Sequence, residues 1–414
     1  MSKNKILTWQ EISNYAKYDL DRINGETNSY SSLRLFNKPE DLVEVILYRD
    51  RHAWCPYCQK VWLWLEFKKI PYSIKKVNMF CYGKKETWFL QKVPSGKVPV
   101  IELKGKLITE SDQIIDQLEK EYGFLGQSLN DPKIIHLRKI ERAIFRDWCN
   151  WLCRKSIWSG EREKKIDKLY NSLKIFEEEI NSNNSCLINT STIPPGNNIG
   201  TGDIIFIPYI ERINASLAYY KGFNLRKEFP GINKWLSELE KTDTYRGTQG
   251  DFHTHAHDLP PQMGICIEEK NQFQTLFSSS IDSGNGLGEM EFGIKETLIE
   301  SNNSFEQKAT QRVFKHKKNI LRINPLGEKE FDQPLRTALT NMLLATKYKP
   351  EKNSALGLRY LKDRISVPRD MPLLSARLLR KSLEMTASLD SNITSDKLSK
   401  ENRFDQNPAN FFVD

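Results

Sequence analysis

Trp54-Cys55-Pro56-Tyr57-Cys58 stands between an apolar run, Val43 to Tyr48, and a helical pattern, Val61 to Ile70. A Cys-X-X-Cys at a strand-to-helix junction carries its first sulfur at the helix N-terminus. Unpaired backbone N–H groups and the positive end of the helix dipole favour a thiolate there. Pro56 suits the first helical turn, where its missing N–H has no intrahelical partner to lose. A four-thiolate zinc site would need a second Cys-X-X-Cys, and the sequence holds none. Thiol or redox chemistry is the reading that this placement supports.

Working outward, residues 43–122 read as βαβ followed by ββα. The first strand is Val43–Tyr48, and its helix runs from Cys55 to Lys69 until Pro71 stops it. Tyr72–Asn78 is the second strand and Lys84–Lys92 a short helix. Val98–Leu103 and Lys106–Thr109 form a hairpin around Lys104-Gly105, and Ser111 is expected to cap a last helix. A Cys-X-X-Cys in this order of elements indicates an α/β thioredoxin-like domain. Beyond Gly123–Pro132 the pattern is wholly helical: Ile134–Trp158, Ile166–Ile180, Ile204–Tyr220 and Gly231–Lys241, with an Asn181–Gly202 loop. Ile204–Tyr220 is the most apolar of these and is expected at the centre of the bundle.

The 414 residues suffice for two or three domains. No apolar run approaches the length of a membrane span, which argues against a membrane partner. The acid-bearing start, with no apolar core, predicts neither a signal nor a transit peptide, and a cytoplasmic location follows. Seven cysteines do not suggest a secreted disulfide framework. The net charge of +9 is uneven: residues 301–414 hold 21 Lys and Arg against 13 Asp and Glu. The rest of the chain is nearly neutral, so no nucleic-acid partner is expected.

Two further motifs bear on the site. Val98-Pro99 precedes the third strand, where a cis or a trans bond is equally compatible with the sequence. Thr109-Glu110-Ser111-Asp112 sets an acid and a hydroxyl at a helix N-terminus, which suits an amino-acid zwitterion or a plain N-cap. With Cys55-Pro56-Tyr57-Cys58, Val98-Pro99 and Glu110-Ser111 at these spacings, residues 43–245 resemble the glutathione transferase superfamily. The similarity is greatest to its cysteine-type classes: omega, lambda, dehydroascorbate-reductase-like. Thr201-Gly202-Asp203-Ile204 resembles the family's helix-capping box, with Gly200 where the family has Ser or Thr. The full Cys-Pro-Tyr-Cys is glutaredoxin-like.

The resemblance implies a thioredoxin-like domain over 42–122 and an all-α transferase domain over 131–245. It implies glutathione as co-substrate and a small electrophilic or disulfide substrate, and leaves a homodimer open. Cys55 would be the nucleophile, and Cys58 either a resolving thiol or a buried sulfur. Val98, with Pro99 cis, would hold the cysteinyl backbone of glutathione. Glu110 and Ser111 would hold its γ-glutamyl end, and Lys85, or its neighbour Lys84, its glycyl carboxylate. The activity implied is glutathione-dependent thiol transfer through a mixed disulfide. The rivals are conventional conjugation to electrophiles and a binding or scaffold protein that uses the basic tail. Trp54, Phe145, Trp148, Trp151 and Trp158 are candidates for a substrate wall, although aromatics at helical spacing more often form core.

The remaining segments divide into an N-terminal extension (1–41) with Trp9, Tyr15 and Tyr18 as anchors, and an irregular region (246–303). A helical extension (304–390) and a disordered tail (391–414) follow, the tail with Phe411-Phe412 as an anchor. Pro334–Tyr348, Ala355–Lys362 and Leu373–Ala387 have helical spacing in the extension. His253, His255 and His257 alternate in a way that would suit a metal on a strand, but Pro260-Pro261 and the flanking glycines mark a loop. No residue is assigned to a metal. Cys149 and Cys153 share a helical face and are expected in the core.

Overall fold

The computed structural model describes residues 5–18, 20–183, 185–188, 199–287 and 305–391. Alternation of buried apolar residues builds a five-stranded sheet: β1 Leu33–Arg34, β2 Val45–Asp50, β3 Tyr72–Val77, β4 Val100–Leu103 and β5 Lys106–Thr109. Its order is β1-β3-β2-β4-β5, with β2 and β3 parallel and the other pairs antiparallel. Between the strands lie α2 Pro56–Lys68 and α3 Thr87–Lys92, and α4 Ser111–Tyr122 follows β5. This is the expected thioredoxin-like order with one addition. The edge strand β1 comes from the N-terminal extension, and two residues are too few to leave a period-2 signal.

The helix α2 ends where Lys69 takes a left-handed conformation ahead of Pro71. Its Trp62, Leu63, Trp64 and Leu65 are all buried, because the sheet covers one side and the second unit the other. That unit contains α5 Pro132–Cys153, α6 Glu161–Asn181, α7 Thr201–Lys221, α8 Leu225–Glu228, α9 Pro230–Glu240 and α10 Asp243–Thr248. Every residue of α7 is buried, in keeping with its place as the most apolar helix of the bundle. Asp203 holds its N-terminus, accepting from Gly200 N (2.9 Å), Ile188 N (3.0 Å) and Trp235 Nε1 (2.8 Å). Sheet and bundle share one continuous core.

The region expected to be irregular holds two further helices, α11 Phe252–Met263 and α12 Gln272–Asp282; residues 288–304 lie outside the description. Asp251 caps α11 through Thr254 N (2.9 Å), and Pro260-Pro261 sit in its last turns instead of breaking it. The helical extension comprises α13 Phe305–Ile323, α14 Glu328–Leu344, α15 Ala355–Arg364 and α16 Leu373–Asp390. They enclose a second core that also takes in Ile12 from α1 Trp9–Tyr15. The Trp9 indole donates to Asp332 (2.6 Å) and packs on Phe314, so the N-terminal anchor meets the extension and not the sheet. The Phe411-Phe412 expectation lies outside the described residues. No helix among the described residues is long and apolar enough to cross a membrane.

Candidate functional site

Register alone brings the three motifs together. Tyr48 on β2 faces Val100 on β4, and Val100 faces Thr109 on β5. The chain leaving β2 for α2, the residues before β4 and the turn after β5 therefore meet at one end of the sheet. Cys55 occupies the N-cap of α2 with Pro56 as its first helical residue. Its sulfur faces the Val98 carbonyl at 3.9 Å, and the Val98-Pro99 bond is cis. Glu110, in a left-handed conformation (φ 64°), is the N-cap of α4, and Ser111 is its first residue. The expected Ser111 cap is thus displaced by one position. Glu110 is exposed at the site, with Lys97 4.0 Å away, whereas Ser111 is buried.

The loop between β2 and Cys55 is folded over a buried carboxylate. Asp50 accepts from the N–H of Trp54 (2.6 Å) and of Cys55 (3.1 Å), a local motif that pins the N-terminus of α2. Behind it lies Arg212 of α7, buried and over the Trp54 ring at 4.8 Å. Arg212 donates to the carbonyls of Trp54 and Pro208 and to Gln59 Oε1 (3.0 Å). Burial pulls its pKa down, and the nearby Glu211, Cys55 and Asp50 oppose that pull. A cation from the helical unit therefore stands within electrostatic reach of the candidate nucleophile. The sequence reading missed it, although Glu211-Arg212 inside an otherwise apolar helix was a visible signal.

Cys58 is fully buried one turn along α2. Burial and its interaction with Cys55 push its thiol well above the usual range, so Cys58 is a proton-bearing neighbour of Cys55. Lys85 turns inward: its ammonium donates to the Asn78 carbonyl (2.7 Å) between Phe80 and Phe89. Burial lowers its pKa, and Cys58, Glu86, Asp50 and Cys55 oppose the shift. Lys84 is the exposed one of the pair.

Of the aromatic candidates, Trp148 and Trp151 belong to the core, donating to Ser216 (2.9 Å) and Glu269 (2.8 Å). Trp158 is exposed. Phe145 meets Tyr209, which meets Tyr57 of the motif edge-on at 6.2 Å, so these three rings lie between the two units.

The three histidines do not act together, because they stand on a helix. His255 points to Glu211 (2.6 Å) and edges Trp54, joining the Arg212 network beneath the thiol motif. His253 and His257, one turn apart, face Asp282, and the three could offer ligand atoms within 4.8 Å of one another. His257 is hydrogen-bonded to Asp282 (2.8 Å). Burial and the nearby Arg380 hold His253 neutral.

Comparison with known proteins bears on the same region. Residues 54–121 match the family described as glutathione S-transferase, N-terminal domain. Glutathione S-transferase DHAR3, chloroplastic, of Arabidopsis thaliana is 26% identical over 197 residues, 48% of this chain and 69% of that protein. Glutathione S-transferase L3 of the same plant is 29% identical over 203 residues, 48% and 79% respectively. Among solved structures, the dehydroascorbate reductase of Chlamydomonas reinhardtii aligns with a TM-score of 0.40 and 22% identity, over 50% of this chain and 93% of that one. Residues 54–121 thus match the glutathione S-transferase N-terminal family, and the first half of the chain is similar to DHAR and L glutathione S-transferases.

Proposed function

We propose that the protein is a glutathione-dependent thiol transferase or reductase whose nucleophile is Cys55. The observation that carries this reading is Cys55 at the N-terminus of α2, facing the carbonyl before a cis proline, with the buried cation of Arg212 behind it. The family match and the DHAR and L relatives support glutathione as the co-substrate.

In the proposed cycle the Cys55 thiolate attacks the glutathionyl sulfur of a mixed disulfide. A protein–glutathione disulfide forms, and the substrate leaves as a thiolate that takes a proton from solvent. A glutathione thiolate then attacks the glutathionyl sulfur, releasing oxidised glutathione and the Cys55 thiolate. Val98 would hold the cysteinyl backbone of glutathione, and Glu110 with Ser111 would hold its γ-glutamyl end. For the glycyl carboxylate the exposed Lys84 is the better placed of the two lysines. Cys58, buried and proton-bearing, suits a hydrogen-bond donor to the Cys55 thiolate in resting enzyme. Phe145, Tyr209 and Tyr57 would line the face on which the second substrate rests.

Mass spectrometry after treatment with oxidised glutathione tests the cycle. A glutathione adduct on Cys55 in wild type, lost in Cys55→Ser, is expected. An adduct stable only in Cys58→Ser would make Cys58 a resolving thiol. Absence of any adduct together with unaltered conjugating activity in Cys55→Ser would defeat the proposal.

A further inference from the structure

A cavity of about 530 Å³ opens where the flank of the sheet meets the C-terminal core, and neither Cys55 nor Pro99 lines it. Arg22, Arg51 and Lys76 reach it from the first half of the chain, and Arg312, Lys315 and Arg364 from the extension. The sequence placed the excess positive charge in that extension, and the fold turns part of it inward. Asp370 is the carboxylate among the lining residues, and it is engaged by Arg369 at 2.7 Å. Arg51 reaches Glu86 (3.2 Å), and Arg312 lies over the Tyr30 ring (4.1 Å). Among the described residues no carboxylate pairs with the Lys76 ammonium. Burial, reinforced by Arg49, Arg51, Arg312 and Arg22, pulls its pKa down to about 7.

Like charges gathered in a partly dry cavity repel one another, and an anion between them reverses the sign of that energy. Guanidinium groups bind phosphate and carboxylate in bidentate fashion. The floor is apolar, formed by Val313, Ile320, Ile323, Leu361 and Leu379. The volume falls within the range of small-molecule pockets. We propose that this cavity binds a small organic polyanion, a ligand with two or more phosphate or carboxylate charges on an apolar or planar body.

Titration calorimetry on the full chain, with ADP and with citrate as probes at about 0.15 M ionic strength, tests the site. Saturable one-to-one binding of either probe is expected, weakened about tenfold by Lys76→Met or Lys315→Gln and unaffected by Lys329→Gln on the exposed face of α14. ADP alone binding assigns phosphate as the recognised group, and citrate alone assigns carboxylate. Cys55→Ser should bind as wild type does, which separates this site from the thiol chemistry. Lys76→Met should also melt higher than wild type without ligand, an outcome that a merely structural lysine would not give. Lys315 lies at the rim, so its variant carries the test should Lys76→Met not fold. Failure of both probes to saturate by about 10 mM, or binding unchanged in both variants, would overturn the site.

Discussion

The guanidinium of Arg212 lies 4.8 Å over the indole of Trp54 and donates to the Trp54 carbonyl, one residue before Cys55. Through Gln59 the same group joins Glu211, which accepts from Gly250 N (2.8 Å) and pairs with His255. The helical unit thus reaches under the thiol motif and sets a buried positive charge there. Arg212→Leu should slow iodoacetamide alkylation of Cys55 at neutral pH by about tenfold, and Arg212→Lys by less. Equal alkylation rates in all three proteins, each shown folded by circular dichroism, would remove Arg212 from the chemistry.

Asp203 is a cap with three donors and no exposure. Burial raises its carboxyl to about 6, and the N–H groups of Gly200 and Ile188 with the Trp235 indole counter that rise. Asp203→Ala leaves these donors without their acceptor and should cost about 3 kcal/mol in urea unfolding. Asp203→Asn, which keeps one acceptor oxygen, should lose less. A loss below about 0.5 kcal/mol in the alanine variant would mean that α7 starts without help from this carboxylate.

The sheet domain was legible because its signals are local. Alternation gave the strands, Pro56 and Pro71 marked both ends of α2, and Lys104-Gly105 marked the hairpin. The edge strand Leu33–Arg34 was not legible, since its pairing with β3 is a tertiary event. The α11 helix was hidden because Pro260-Pro261 read as a loop, while its N-cap and most of its buried face lie upstream of both prolines. The direction of Lys85 follows from packing between two phenylalanines, which no spacing rule reveals. Glu211-Arg212 shows the converse: two charges in an apolar helix are expensive unless paired, so their presence was itself a pointer to a buried network.

The extension is tied to the transferase-like half by a buried ion pair between Asp251, at the cap of α11, and Arg380 of α16. Against the upward push of burial, Arg380 and the Thr254 donors hold the Asp251 carboxyl well below the usual carboxylate range. A carboxyl depressed in the folded state contributes stability above its unfolded pKa, near about 3.9, and loses it as the pH falls further. Asp251→Asn should therefore be less stable than wild type at pH 6, by about 3 kcal/mol, with the gap narrowing steadily below pH 4. Urea midpoints of both proteins across this range check the sign, and a gap independent of pH would show that the pair carries no linked proton.

Lys76 gives the opposite sign at the other end of the scale. Its pKa is about 7 in the folded protein against an ordinary 10.5, depressed by burial first and then by Arg49, Arg51, Arg312 and Arg22. His52, His316, Lys315, Tyr30, Tyr360, Arg364, Arg369 and Asp370 complete the ionisable groups around the cavity. The unfolded chain binds this proton more tightly between pH 7 and about 10.5, so wild type should gain stability as the pH rises through that window. Lys76→Met lacks the group and should show no such gain, being the more stable protein at pH 6, with an advantage that shrinks through pH 9 and is lost only near about pH 10.5. The variant's advantage at pH 6 should also shrink when a polyanion is present, because the ligand supplies a countercharge to Lys76. Parallel pH profiles for the two proteins would show that Lys76 keeps an ordinary ammonium in the folded state.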